Sequence, residues 1–192
     1  MKVLVSGMGR SGTMLLYKMT GSLPRVISKH NHYPDEGLRN WADIILTTKR
    51  DFREMMASTK RFLGGHYTWK EINVIYNNVT EECQMSINIF QYWKDYAKRI
   101  MVLEDWFVDP EKYFKQVLES LEIQMSEDEI KKKVAQFQKP VANNHITRNQ
   151  NQLINYHTLT ESEIQDIYTF FDEKYPELKD EFLYIENYEK LL

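Results

Sequence analysis

At 192 residues, 42% of them apolar and 28% charged, the chain is long enough for one packed core and too short for two comfortable ones. A net charge of −3 excludes general affinity for nucleic acid, so any basic patch is local. Cys83 is the sole cysteine, which excludes an intrachain disulfide, and without a run of about 18 apolar residues or a secretory h-region the expectation is a single cytoplasmic domain over residues 1–192, with no membrane contact.

The chain opens on its most informative stretch. Val3-Leu4-Val5 marks a strand over 2–6, followed by a loop carrying Gly7, Gly9 and Gly12 and then a helix over 12–20. Glycine lets backbone N–H groups converge on an anion. The helix N-terminus adds about half a positive charge at the same place. Arg10 supplies a permanent cation inside the turn. Gly7 and Gly12 have Walker A spacing, but Thr13 stands where the lysine belongs and Met14 where the magnesium-binding hydroxyl belongs. The phosphate cradle is kept and the magnesium apparatus is not.

Val26-Ile27-Ser28, after Pro24, predicts a second strand, and residues 43–48 a third, followed by a helix over 51–62. Residues 70–98 read as helical, with apolar side chains at three- and four-residue spacings, and residues 100–103 as a fourth, buried strand. Asp109-Pro110-Glu111 is a helix start. Ser126 with Glu129, and Thr160 with Glu163, are capping boxes. Residues 139–158 are polar and asparagine-rich and predict a long loop. Strands alternating with helices give an α/β fold, a three-layer sandwich around a parallel sheet of four to five strands.

Ligands of such sheets bind at the carboxyl ends of the strands, so the segments just beyond them carry the function. The first is the glycine loop and the second is Lys29-His30-Asn31-His32. The third holds Lys49-Arg50-Asp51, with Arg53, Ser58 and Arg61 beyond it. Ser58 lies eight residues after Arg50 and shares a helical face with Arg61, which makes this group a second anion site. The fourth, Glu104-Asp105, reads as structural, capping or pairing with the arginines. Two anion sites on one sheet edge suit a ligand with two separated anionic groups.

In this order, the motifs of residues 3–123 resemble those of the sulfotransferase family that uses 3′-phosphoadenosine 5′-phosphosulfate (PAPS). Gly7 to Thr13 resembles the 5′-phosphosulfate loop in its R-S-G-T form, and Arg50-Asp51 through Ser58 resembles the 3′-phosphate motif. Pro24 to His30 is similar to the segment ending in the catalytic histidine of cytosolic members, and Leu103 to Glu111 to the late Y-E-D-L…D-P-E segment. The chain is short for the family, and its usual Arg-Lys-Gly loop is replaced by the polar stretch around His145, Thr147 and Arg148.

The resemblance implies metal-free, in-line transfer of a sulfuryl group to a hydroxyl or amine, on a small molecule or a glycan, with adenosine 3′,5′-bisphosphate (PAP) as product. Gly9, Arg10, Ser11, Gly12, Thr13 and Met14 would hold the 5′ end of the donor. Arg50, Ser58 and Arg61 would grip the 3′-phosphate, with Arg148 as a further contact. Arg10 would also neutralise the leaving group. His30 is the expected base, with His32, Asp35 and Glu36 as alternatives. Two rival readings stand beside this one: a nucleotide or small-molecule kinase, and a non-catalytic nucleotide-binding protein.

Overall fold

The computed structural model describes residues 1–62, 79–138 and 156–189. The chain runs β1 (Lys2–Gly7), α1 (Thr13–Gly21), β2 (Ile27–His30), α2 (Glu36–Trp41), β3 (Ile44–Lys49) and α3 (Phe52–Phe62). Beyond residue 78 it continues with α4 (Val79–Lys94), β4 (Arg99–Val102), α5 (Leu103–Val108), α6 (Pro110–Ser120) and α7 (Glu127–Gln138). A 3₁₀ turn at Tyr156–Thr158 leads into α8 (Glu161–Lys174), and a second at Pro176–Leu178 into α9 (Lys179–Phe182) and α10 (Glu186–Glu189).

The strands form one four-stranded parallel sheet in the order β2-β1-β3-β4. Alternation of side chains along the strands divides the core. Val3, Val5, Leu46 and Met101 join Leu16 and Met19 of α1 and the apolar faces of α5, α6 and α7. Leu4 and Ile45 pack on Ile89 and Trp93 of α4. A further cluster, with Phe52, Met55 and Met56 of α3, Phe90 of α4 and Phe171 of α8, lies beyond that layer. The sheet is therefore covered on both faces, as three layers require. Because β2 and β3 flank β1 on opposite sides, the strand order reverses at β1, and the loop after β1 sits at the topological switch point.

The helix starts follow their sequence signals. Asp109 accepts from the Lys112 amide at 2.9 Å with Pro110 in the first turn of α6, and Thr160 with Glu163 forms a reciprocal cap on α8. Other boundaries move. The second strand is Ile27–His30 rather than 26–28, because its ladder runs on until His30 pairs with Val5 and the Asn31 amide bonds the Val5 carbonyl at 3.1 Å. Leu103 opens α5 instead of closing β4. The short helix α2 has no counterpart in the periodic pattern; its cap is Asp35, which accepts from the Leu38 amide at 2.8 Å. The helix expected over 70–98 is described from Val79, and most of the loop expected over 139–158 lies outside the described residues.

Candidate functional site

The loop after β1 is shaped by two glycines and one arginine with positive φ. Gly7 (φ 129) lies against Thr48, whose Oγ1 would stand 2.7 Å from an added Cβ, and Gly12 (φ 93) lies against Leu103 at 2.7 Å. Arg10, at φ 62, adopts a backbone conformation that side chains rarely occupy, so surrounding contacts must hold it there. The Ser11 hydroxyl is turned inward, donating to the Met8 carbonyl at 2.6 Å and sharing a hydrogen bond with Thr48 Oγ1 at 2.6 Å. Gly12 precedes α1, whose first turn has no side-chain cap. The leading amides of α1, at Thr13 and the exposed Met14, therefore remain for an anion. Among the described residues, nothing lies within 4 Å of a Cβ built on Gly9, so the loop opens onto clear space there.

The start of α3 reaches the same place. Arg10 Nε donates to Ser58 Oγ at 3.2 Å, and Arg50 Nη1 donates to the Arg10 carbonyl at 3.3 Å. The groups after the first and third strands thus meet. Arg50 is also buried in carboxylates: its Nη2 donates to Glu54 Oε2 at 2.8 Å, and its Nε stands 3.7 Å from Glu104 Oε1. Glu54 in turn accepts from the Tyr156 amide at 2.9 Å. Arg50 therefore braces the strained Arg10 backbone and carries a charge already countered by Glu54.

Asp51 is the hub of this second region. Fully buried, it accepts from Arg53 N, Nε and Nη2 at 2.9, 3.1 and 2.9 Å and from the amides of Tyr184 and Ile185 at 2.6 and 2.8 Å. Arg53 continues to Glu186 at 2.8 Å and to the Tyr168 hydroxyl at 2.8 Å, so it ties α3 to the C-terminal segment rather than facing the loop. Glu104 accepts from the Asp51 amide at 3.2 Å and from the Tyr184 hydroxyl at 3.0 Å, and Asp105 from the Tyr188 hydroxyl at 2.7 Å. Burial pushes the Glu104 carboxyl up to about 7, against the pull of Arg50. The structural reading of Glu104 and Asp105 agrees with these contacts.

The end of β2 and the residues after it set His30 beside His32, and His32 against the loop. His32 Nδ1 lies 2.8 Å from the Gly7 carbonyl, and Trp93 Nε1 donates to the His32 carbonyl at 2.9 Å. His30 packs edge-on against His32, with ring centroids 4.5 Å apart, and its Nε2 is buried without a hydrogen-bond partner. Burial first, then charge on His32, pushes the His30 imidazole down to about 4. Asp35 is occupied as the α2 cap. Arg61 falls in the last turn of α3, with its side chain outside the description, and His145, Thr147 and Arg148 lie outside the described residues.

Sequence reading missed Thr48, Glu54 and Tyr184. Glu54 had a signal, the four-residue helical spacing from Arg50. Tyr184 had none, because it joins Glu104 across 80 residues. Among the described residues, no helix is long and apolar enough to cross a membrane, and no three His, Cys, Asp or Glu side chains cluster as metal ligands.

An α/β unit with a four-stranded parallel sheet flanked by helices, and a glycine loop at its switch point, is a sulfotransferase-like fold. Among solved structures, the chain is similar to the crystal structure of mouse sulfotransferase SULT7A1 complexed with PAP, with a TM-score of 0.64 and 14% identity, over 90% of this chain and 84% of that one. No protein-family model matches the sequence, and no curated protein matches it.

Proposed function

We propose that the protein is a sulfotransferase that binds PAPS and passes its sulfuryl group to a hydroxyl or amine on a small-molecule or glycan acceptor. The observation that carries this reading is the 3.2 Å hydrogen bond from Arg10 to Ser58, which joins the 5′-phosphosulfate motif to the 3′-phosphate motif. The clear space over Gly9 and the uncapped first turn of α1 fit a phosphate group. The likeness of the fold to a PAP-bound sulfotransferase points the same way.

The donor, when bound, supplies an activated sulfuryl group on a phosphate leaving group. The loop amides of Gly9 to Met14 would hold the 5′ end, and Arg10 would meet the negative charge that grows there. Ser58 would take the 3′-phosphate together with Arg50, which must share its guanidinium between that phosphate and Glu54. Fixing both ends of one ligand aligns donor and acceptor, the main contribution a metal-free site can make.

Incubation with PAPS and a panel of hydroxyl and amine acceptors, read by mass spectrometry for PAP and sulfated product, tests the reading. Turnover is expected in the wild type, with a loss of at least about a hundredfold in Arg10→Ala. The neutralisation of Arg50 by Glu54 favours one rival, a non-catalytic nucleotide-binding protein. PAPS binding without consumption across the panel would support that rival and overturn the transferase.

A further inference from the structure

Where β3 runs into α3 and meets the start of α5, the guanidinium groups of Arg50 and Arg53 are buried against the carboxyls of Asp51, Glu54 and Glu104. With every carboxyl ionised, negative charge is in excess there. Arg50 is the member of this set that reaches the phosphate loop, through its bond to the Arg10 carbonyl at 3.3 Å. Its Nη2 meets Glu54 at 2.8 Å, and its Nε stands 3.7 Å from Glu104. That Nε is buried without a hydrogen-bond partner, so Glu104 acts on Arg50 through charge and not through a bond. A 3′-phosphate would bring nearly two further negative charges to the same guanidinium. A buried site cannot take them up beside both carboxylates without a large penalty.

The three carboxyls differ in what surrounds them. Five N–H groups donate to Asp51, and Glu54 accepts from Arg50 and from the Tyr156 amide. An N–H group cannot accept a hydrogen bond from a protonated carboxyl. Glu104 is held differently, by the Asp51 amide on Oε1 at 3.2 Å and by the Tyr184 hydroxyl on Oε2 at 3.0 Å. A hydroxyl donates or accepts, so Tyr184 can turn to accept from a protonated Oε2 while Oε1 keeps the Asp51 amide. The other ionisable groups on this side are Tyr113 of α6 and, on α5 itself, Asp105, which the Tyr188 hydroxyl holds. Lys49 stands over the Tyr184 ring at 5.5 Å. Burial already brings the Glu104 carboxyl up to about 7.

Resting on the donor-binding reading, we propose that Glu104 is a positioning residue for the 3′-phosphate, acting through Arg50: it takes a proton from solvent when PAPS or PAP binds and returns it when the nucleotide leaves. The proton goes to Oε2, on the Tyr184 side, and Oε1 stays on the Asp51 amide. Neutral Glu104 no longer counters Arg50, whose charge is then divided between Glu54 and the phosphate. The Arg50 bond to the Arg10 carbonyl is kept throughout, so the loop is braced with and without the nucleotide. AMP lacks the 3′-phosphate and leaves Glu104 as it was. Proton uptake therefore belongs to the feature that separates the two nucleotides.

Calorimetric titration with PAP at pH 8, in two buffers of different ionisation enthalpy, counts the protons taken up per nucleotide bound. At that pH free phosphate monoesters are fully ionised and add no uptake of their own. The wild type is expected to take up about 0.5–1 proton with PAP and none with AMP. Glu104→Gln keeps an acceptor for the Asp51 amide and a partner for Tyr184 but cannot change charge. It is expected to take up no proton and to bind PAP up to about tenfold more tightly than the wild type at pH 8, with the gap closing at pH 6 and AMP affinity unchanged. A Glu104 that served only the fold would, when replaced, weaken both nucleotides alike and leave the proton count as in the wild type, and that result would overturn the proposal. The wild-type count stands without the variant: tight PAP binding with no proton taken up overturns the role of Glu104 and leaves the donor site intact. PAP binding no tighter than AMP binding removes the donor reading, and this proposal with it.

Discussion

The loop after β1 and the region of α3 meet at Arg10, through its Nε on Ser58 at 3.2 Å and the Arg50 guanidinium on its carbonyl at 3.3 Å, yet they are made of different materials. The loop is a backbone structure: positive φ at Gly7, Arg10 and Gly12, an inward serine, and an uncapped helix end. The start of α3 is a side-chain structure in which Arg50, Asp51, Arg53, Glu54 and Glu104 are all buried and paired. A backbone site asks only for glycines in the right places and leaves its amides for a ligand. A buried ion network must satisfy every charge it contains, and breaking one partner strands the other.

The largest effect should come from the hub of that network. Asp51→Ala would remove one of the two carboxylates on the buried Arg53 guanidinium and leave two amides of the C-terminal segment unpaired, and is expected to cost about 3–5 kcal/mol in chemical denaturation. A loss below about 1 kcal/mol would mean that the network is ornamental.

Glu82 on α4 sharpens the contrast, because it is a buried carboxyl with no hydrogen-bond partner on Oε2. Burial raises its pKa from 4.5 to about 7. Between those values the native protein holds a proton that the unfolded chain has released, so stability falls as pH rises through that window. Glu82→Gln is expected to flatten this slope and to add up to about 3 kcal/mol above the window. An unchanged pH–stability curve would contradict the shift.

A smaller effect belongs to Glu54. Glu54→Gln removes the charge that counters Arg50 and is expected to tighten PAP binding about fivefold, close to 1 kcal/mol, with AMP affinity unchanged. Equal effects on both nucleotides would mean that Arg50 serves only to brace the loop. Smallest of all, Gly9→Ala should change stability by less than about 0.5 kcal/mol, since an added Cβ meets no neighbour among the described residues. A large loss of stability there would show that the loop is held by packing around Gly9.

The contrast also explains what the sequence discloses. The loop was legible because its physics is local: three glycines, an arginine and a helix start within a few residues. The caps at Asp109 and Thr160 were legible for the same reason. Arg50 and Ser58 both reach Arg10 of the loop, and the four-residue spacing of Glu54 from Arg50 was the local trace of the carboxylate that counters the Arg50 charge. The clamp from Tyr184, Ile185 and Glu186 onto Asp51 and Arg53 was illegible, because it joins residues more than 130 positions apart and leaves no periodic trace. The difference between His30 and His32 was likewise invisible, since it depends on which ring the sheet edge buries and which one the Gly7 carbonyl holds.

Calorimetric titration of the wild-type protein with PAP, against AMP under the same conditions, is the most direct measurement. If the two arginine-centred groups clasp opposite ends of one bisphosphorylated adenosine, PAP binds at least about tenfold more tightly, a difference near 1.4 kcal/mol. Equal affinities would leave the loop as a simple phosphate site and contradict the account.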